Sequence, residues 1–259
     1  MGKALEVVTA IATAPSTGAT ATACAGNSLT IRDSKKPVWL LDVWHTGQAV
    51  GSARITSPFM HDAVVGIHLD TPTGSQVLLR SQKMRLQNQD TLTVTLEGSA
   101  TGGDIEHLSF LVYYEDLPGV AGRFITHKDL ERRLVDIYAS ENNLALGTAG
   151  CYSGEELLTA EEDQMKANTD YALLGCSVQV PAHAIRWRSP DWGNLGLGMP
   201  NANAAGWHDS FFFKDLSERY NLPLIPIVNS SNKDLIFIDG VTDENGTDAV
   251  VSTVLGRLK

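Results

Sequence analysis

Two His-Asp dipeptides, His61-Asp62 and His208-Asp209, are the residues of this 259-residue chain best suited to acid–base or metal chemistry. An imidazole beside a carboxylate can act as a general base or a ligand near neutral pH. Adjacent side chains on a strand, however, point to opposite faces, and an aspartate at a helix start caps free amide groups. Both pairs are therefore expected to be structural. The run Asp243-Glu244-Asn245-Gly246-Thr247-Asp248 has the oxygen ligands of a calcium loop but not their order in an EF-hand, and Asn-Gly is the signature of a hairpin turn. No Gly-x-Ser-x-Gly, His-Glu-x-x-His, P-loop or dinucleotide glycine pattern occurs. There is also no His-x-His pair from which a cupin metal site could be built. No catalytic residue, cofactor or metal is expected.

The five tryptophans could stack on sugar rings. Trp39 and Trp187 alternate with apolar neighbours and read as core, whereas Trp44 and Trp192 lie near glycine turns and are freer to be exposed or to meet another subunit. Cys24, Cys151 and Cys176 are odd in number and widely spaced, so they read as small buried hydrophobes in a reducing compartment. The sequons at Asn229 and Asn245 carry meaning only for a secreted chain. Met1 to Ala14 contains an apolar run, but Glu6 interrupts it and only Lys3 precedes it, so it does not read as a signal peptide.

The formal charge of −10 argues against a surface built to neutralise phosphates, and direct nucleic-acid binding is not expected. The densest basic stretch, Arg123 to Arg133, is broken by Asp129 and Glu131 and reads as a solvated helix face. No stretch is long and apolar enough to be a membrane-spanning helix.

These residues must be held by strands. Leu92, Val94 and Leu96 alternate with Thr91, Thr93 and Thr95, and Leu108, Phe110 and Val112 repeat the pattern. Short strands punctuated by Gly, Pro, Asn and Ser turns predict an all-β chain of sandwich or barrel type. Helices are expected at three places. One starts at Thr126 with Asp129 three residues on and places Leu130, Leu134, Ile137 and Tyr138 on one face; one runs from Ser153 to Lys166; one runs from Asp209 to Tyr220 before Asn221 and Pro223.

The chain also resembles itself. Gly26 to Ile31 matches Gly175 to Val180, and Val38 to Gly47 matches Ile185 to Gly193. Met60-His61-Asp62 matches Trp207-His208-Asp209, and Asp90 to Val94 matches Asp234 to Ile238. Phrases in the same order with slowly drifting spacing predict a tandem duplication of one sandwich.

A duplicated sandwich, an Ala/Thr-rich start and the lack of catalytic motifs together resemble a double jelly-roll major capsid protein of a tailless, membrane-containing virus such as a bacteriophage. The resemblance runs from about Gly26 to Leu258 and is one of layout. It implies an extended N-terminal arm over 1–25, a first jelly-roll over 26–122, a helical connection over 123–170 and a second jelly-roll over 171–259. It further implies a non-enzymatic homotrimer, a pseudo-hexameric capsomer of an icosahedral shell, assembled in the host cytoplasm. Its expected partners are itself, neighbouring capsomers, other virion proteins and an internal lipid membrane. The alternative is a two-module β-sandwich that binds carbohydrate, or a cupin-like enzyme.

Overall fold

The computed structural model describes residues 2–13, 21–47, 51–59, 66–71, 83–97, 105–147, 152–158, 164–178, 182, 184–200, 210–242 and 246–259. The first half runs through β1 (Ala4–Thr13), β2 (Ala21–Thr30), β3 (Val38–Gly47), β4 (Gly51–Thr56), β5 (Ile67–Thr71), β6 (Met84–Leu86), β7 (Thr91–Glu97) and β8 (Ile105–Tyr114). A link carrying β9 (Phe124–Ile125) and α1 (His127–Arg133) leads into the second half. There follow β10 (Leu134–Ala145), β11 (Glu156–Leu157), β12 (Asp170–Val178), β13 (Ala184–Arg188) and β14 (Leu197–Pro200). After α2 (Phe212–Tyr220) come β15 (Ile225–Asn229), β16 (Phe237–Val241) and β17 (Asp248–Leu258).

Each half pairs its strands as one long hairpin doubled over: first with eighth, second with seventh, third with sixth, fourth with fifth. The first half forms antiparallel sheets β1-β8-β3-β6 and β2-β7-β4-β5. The second forms β10-β17-β12-β15, extended by β9, and β11-β16-β13-β14. Rolling such a hairpin so that alternate pairs fall into facing sheets buries one face of each, which is the jelly-roll sandwich. The chain is all-β, two such sandwiches in tandem with few helices.

Local sequence explains the strands. In β7 the threonines at 91 and 93 face solvent while Leu92 and Val94 are buried, and β17 buries Ala249, Val251, Thr253 and Leu255 on one side. Each fully buried leucine or valine contributes about 1.5–3 kcal/mol relative to exposure. Gly66 enters β5 at φ +69°, and a β-carbon there would lie 2.2 Å from the Ile55 carbonyl, so only glycine fits. Thr126 caps α1 by accepting from the Asp129 amide, and α2 ends where Asn221 takes the left-handed conformation before Pro223.

Both halves carry a β-bulge at one matching register position. In β3 it falls between Leu40, opposite Val112, and Asp42, opposite Leu111. In β12 it falls between Leu173, opposite Leu255, and Gly175, opposite Val254. The extra residues, Leu41 and Leu174, are both fully buried. An inserted residue shared by the same strand, opposite the same partner strand, ties the two registers together.

Several expectations need correction. Within 1–25, Ala4–Thr13 is not an extended arm: β1 is paired along its whole length with β8, and Ala4 and Leu5 are completely buried. The first sandwich therefore begins at Ala4 rather than at Gly26. The link is short, because α1 ends at Arg133 and β10 is already the first strand of the second sandwich, which begins at Leu134 and not at 171. The helix expected from Ser153 is absent among the described residues there; Glu156–Leu157 pairs with β16 instead. Two of the repeat phrases are one strand out of step, since Gly26 to Ile31 lies at β2 whereas Gly175 lies in β12, the counterpart of β3. The Asp90 and Asp234 phrases do precede matching strands, β7 and β16.

Candidate functional site

An apolar sheet face is buried between the halves. The sheet face of β1, β8 and β3 turned away from the first sandwich core carries Leu5, Val7, Leu111, Tyr113, Trp39 and Leu41. All but half-buried Trp39 are buried, in one apolar cluster with residues of the second half. A sheet face that would otherwise be wet is apolar because the second sandwich covers it.

The connection between β13 and β14, β14 itself and α2 meet the first sandwich here. Ser189 caps a short 3-10 turn, Pro190–Trp192, by accepting from the Asp191 amide, and Gly193 then turns at φ +74°. A side chain at Gly193 would strike Val120 of the link. Leu195 drops into the core of the first sandwich, and the Val7 amide donates to the Gly196 carbonyl at 2.8 Å. Gly198 leaves room for Val7, whose Cγ2 would lie 3.0 Å from an added β-carbon.

Polar contacts fix the joint. The Tyr220 hydroxyl, on α2, donates to the Leu41 carbonyl at 2.5 Å, and Thr9 and Tyr152 share a hydroxyl–hydroxyl bond of 3.1 Å. The Arg186 guanidinium stacks 3.7 Å from the Tyr152 ring centre and holds Asp239 with both arms, at 3.0 and 2.5 Å. Burial pushes the Asp239 carboxyl up, against the pull of Arg186. Beside the bulge, Asp42 is 2% exposed and accepts from the Val43 amide. Burial raises its carboxyl to about 7, opposed by that amide and by the charge of Arg219. Tyr220 is raised in turn by burial and by Asp42. Arg123 of the link donates its amide to the Asp191 carbonyl and its guanidinium to Asp170, clamping the link to the second sandwich.

These groups are paired with each other, and their geometry suits holding two bodies together. Among the described residues no group of three His, Cys, Asp or Glu side chains could hold a metal ion. His61-Asp62 and His208-Asp209 lie outside the described residues. Trp187 is fully buried, as expected, with its indole donating to Thr253 at 3.1 Å. Trp39 is half-buried, donates to Glu115 at 2.8 Å and has the Lys83 ammonium over its ring. Trp192 corrects the expectation of exposure: it is 1% exposed and donates to the Ile227 carbonyl, so it anchors the β13–β14 connection. The side chains of Trp44, Trp207, Cys24 and Cys151 lie outside the described residues. Cys176 is buried beside Met199. Asp243 to Asn245 are likewise outside; Gly246 has φ +69°, but the strands on either side, β16 and β17, belong to different sheets, so the expected hairpin is corrected to a crossing between sheets.

Sequence reasoning missed the joint because its residues are ordinary apolar strand residues. The signal present was Ala4 to Thr13 itself, a strand-length run without clean alternation, as befits a strand buried on both faces.

No family model matches the chain, and no curated protein matches it. Among solved structures it is similar to the exported protein XepA of PBSX, at 8% identity and TM-score 0.25, over 96% of this chain and 86% of that one. It is also similar to the major capsid protein P2 of bacteriophage PM2, at 8% identity and TM-score 0.22, over 99% and 98% of the two chains. At these TM-scores the fold stands on the strand order above.

Proposed function

We propose that this chain is a non-enzymatic viral structural protein, the major capsid protein of an icosahedral shell, acting as a homotrimer. The observation that carries the reading is the pair of jelly-rolls with identical strand order, joined side by side through a buried apolar face. Three such chains around an axis present six similar sandwiches, so a threefold particle fits a position of local sixfold symmetry in a closed shell. The joint within the chain supports this use, because it fixes the two sandwiches as one rigid tile. Partners are other copies, neighbouring capsomers, other virion proteins and an internal lipid layer. The charge of −10 accords with a shell that does not touch the genome. The protein belongs in the virion after assembly in the host cytoplasm.

Size-exclusion chromatography with light scattering tests the reading. The 27.9 kDa chain should elute as a species of about 84 kDa or as larger particles. A monomer at all concentrations up to about 100 μM, where a Kd of this size would already be weak for a specific interface, refutes it.

A further inference from the structure

One row of residues crosses the joint face of the first sandwich and contains a carboxylic acid. Val7 of β1 lies opposite Leu111 of β8, which lies opposite Asp42 of β3, so Val7 and Asp42 are two strands, about 10 Å, apart. All three are buried. The second sandwich holds both ends of the row. At one end the Val7 amide donates to the Gly196 carbonyl, a backbone hydrogen bond of 2.8 Å across the joint. At the other the Tyr220 hydroxyl of α2 donates to the carbonyl of Leu41, the residue before Asp42.

Among the described residues, the charged or titratable groups that act on Asp42 are Arg219 and Tyr220, both from α2. Tyr220 is raised by burial and by Asp42, so it stays a neutral phenol. β8 presents Leu111 beside Asp42 and, further along, Tyr113, a phenol raised by burial and by Glu115. β1 presents Leu5 and Val7, and beyond them Thr9, which meets Tyr152 of the second sandwich. Tyr152 lies against Arg186, whose two arms hold Asp239. Asp239 thus has a guanidinium to itself, whereas burial outweighs what the Val43 amide and exposed Arg219 offer Asp42.

We propose that Asp42 is a proton-controlled latch on the joint. Neutral, it lets the row close against α2 and the β13–β14 connection; ionised, it loosens that contact while each sandwich stays folded. A carboxylate in an apolar face regains its water only if the face opens, and the sandwiches can part here without breaking the ladders within either. The carboxyl is raised to about 7 in the closed joint from an ordinary 3.8 in water. The opening equilibrium therefore grows about tenfold per pH unit between those values and levels off above them. The latch belongs to the single chain and does not depend on the capsomer reading.

Amide hydrogen exchange of the whole chain, followed by NMR from about pH 5 to about 8 and corrected for the intrinsic rate, reads the opening at Val7. The reference is the ladder between β12 and β17 inside the second sandwich. In the wild type Val7 should exchange through an opening that leaves this ladder protected, and the opening should grow about tenfold per pH unit up to about 7 before levelling off. In Asp42→Asn, which keeps an oxygen for the Val43 amide, it should be independent of pH. Arg219→Gln, at an exposed position, should carry the levelling to higher pH. Val7 protected as strongly as the ladder at every pH would mean that the sandwiches part only on global unfolding, and overturns the latch. So does a wild-type profile parallel to that of Asp42→Asn, or one that Arg219→Gln leaves unmoved.

Discussion

Asp42→Asn should flatten the pH dependence of stability. Asp42 lies at the joint, 2% exposed, with its carboxyl raised by burial to about 7 from an ordinary value of 3.8. Between those values the folded chain holds a proton that the unfolded chain has released. The folded state thus binds more protons, and stability falls as pH rises through this window and levels off above about 7. Each pH unit is worth about 1.4 kcal/mol, so the window is worth as much as about 4 kcal/mol. Asparagine keeps a side-chain oxygen for the Val43 amide, now 2.9 Å from Oδ1, and never ionises. Guanidinium unfolding of both proteins, followed by tryptophan fluorescence at several pH values from about 4 to 8.5, reads the difference. The variant's advantage should grow with pH and reach a plateau near 8. Parallel stability curves for the two proteins would refute the assignment of a buried, proton-holding Asp42.

Three further outcomes follow from the packing. Deleting residues 2–13 removes β1, with Leu5 and Val7, and opens β8 along one edge; the truncated chain should lack a folded, soluble form, and a native-like circular dichroism spectrum would contradict this. Arg186→Met strands the carboxylate of Asp239, whose side chain is 3% exposed, and should cost about 3–5 kcal/mol in denaturant unfolding. Adding Asp239→Leu should restore part of that loss, and strictly additive losses would show that the two do not act as a pair. Gly66→Ala should cost more than about 1 kcal/mol, because φ is +69° and the Ile55 carbonyl blocks a β-carbon; an unchanged unfolding midpoint would contradict the geometry.

What could be read in the sequence was what local chemistry controls. The Thr-Leu alternation of β7, the N-cap of α1 and the stop of α2 at Asn221 all act within a few residues, whereas the hairpin expected at Gly246 fails because β16 and β17 join different sheets. The first and ninth strands of the paired sandwiches were hidden for opposite reasons. Over Ala4–Val7 β1 is buried on both faces, so its polar-apolar alternation is lost. In the case of β10, Leu130, Leu134, Ile137 and Tyr138 have helical spacing, but only Leu130 lies in the helix. Two of the three buried residues of β10 are polar, because Ser140 and Asn142 donate to the Leu158 and Leu157 carbonyls at the facing strand, and only Leu144 keeps the usual apolar pattern. The duplication was visible, but turn glycines set its register one strand off. The surer marker was the Leu-Leu pair shared by Leu40-Leu41 and Leu173-Leu174, whose meaning depends on a bulge that only the pairing reveals. Beyond the β1 run, the joint could not be read, since Leu195 and Tyr220 meet the first sandwich only through the fold.

Electron microscopy of the purified protein tests most directly whether this chain builds a shell from paired jelly-rolls. Class averages should show threefold symmetry and a hexagonal outline of six similar lobes, alone or tiled into closed particles. Isolated two-lobed particles, or pairs related by a twofold axis, would contradict it.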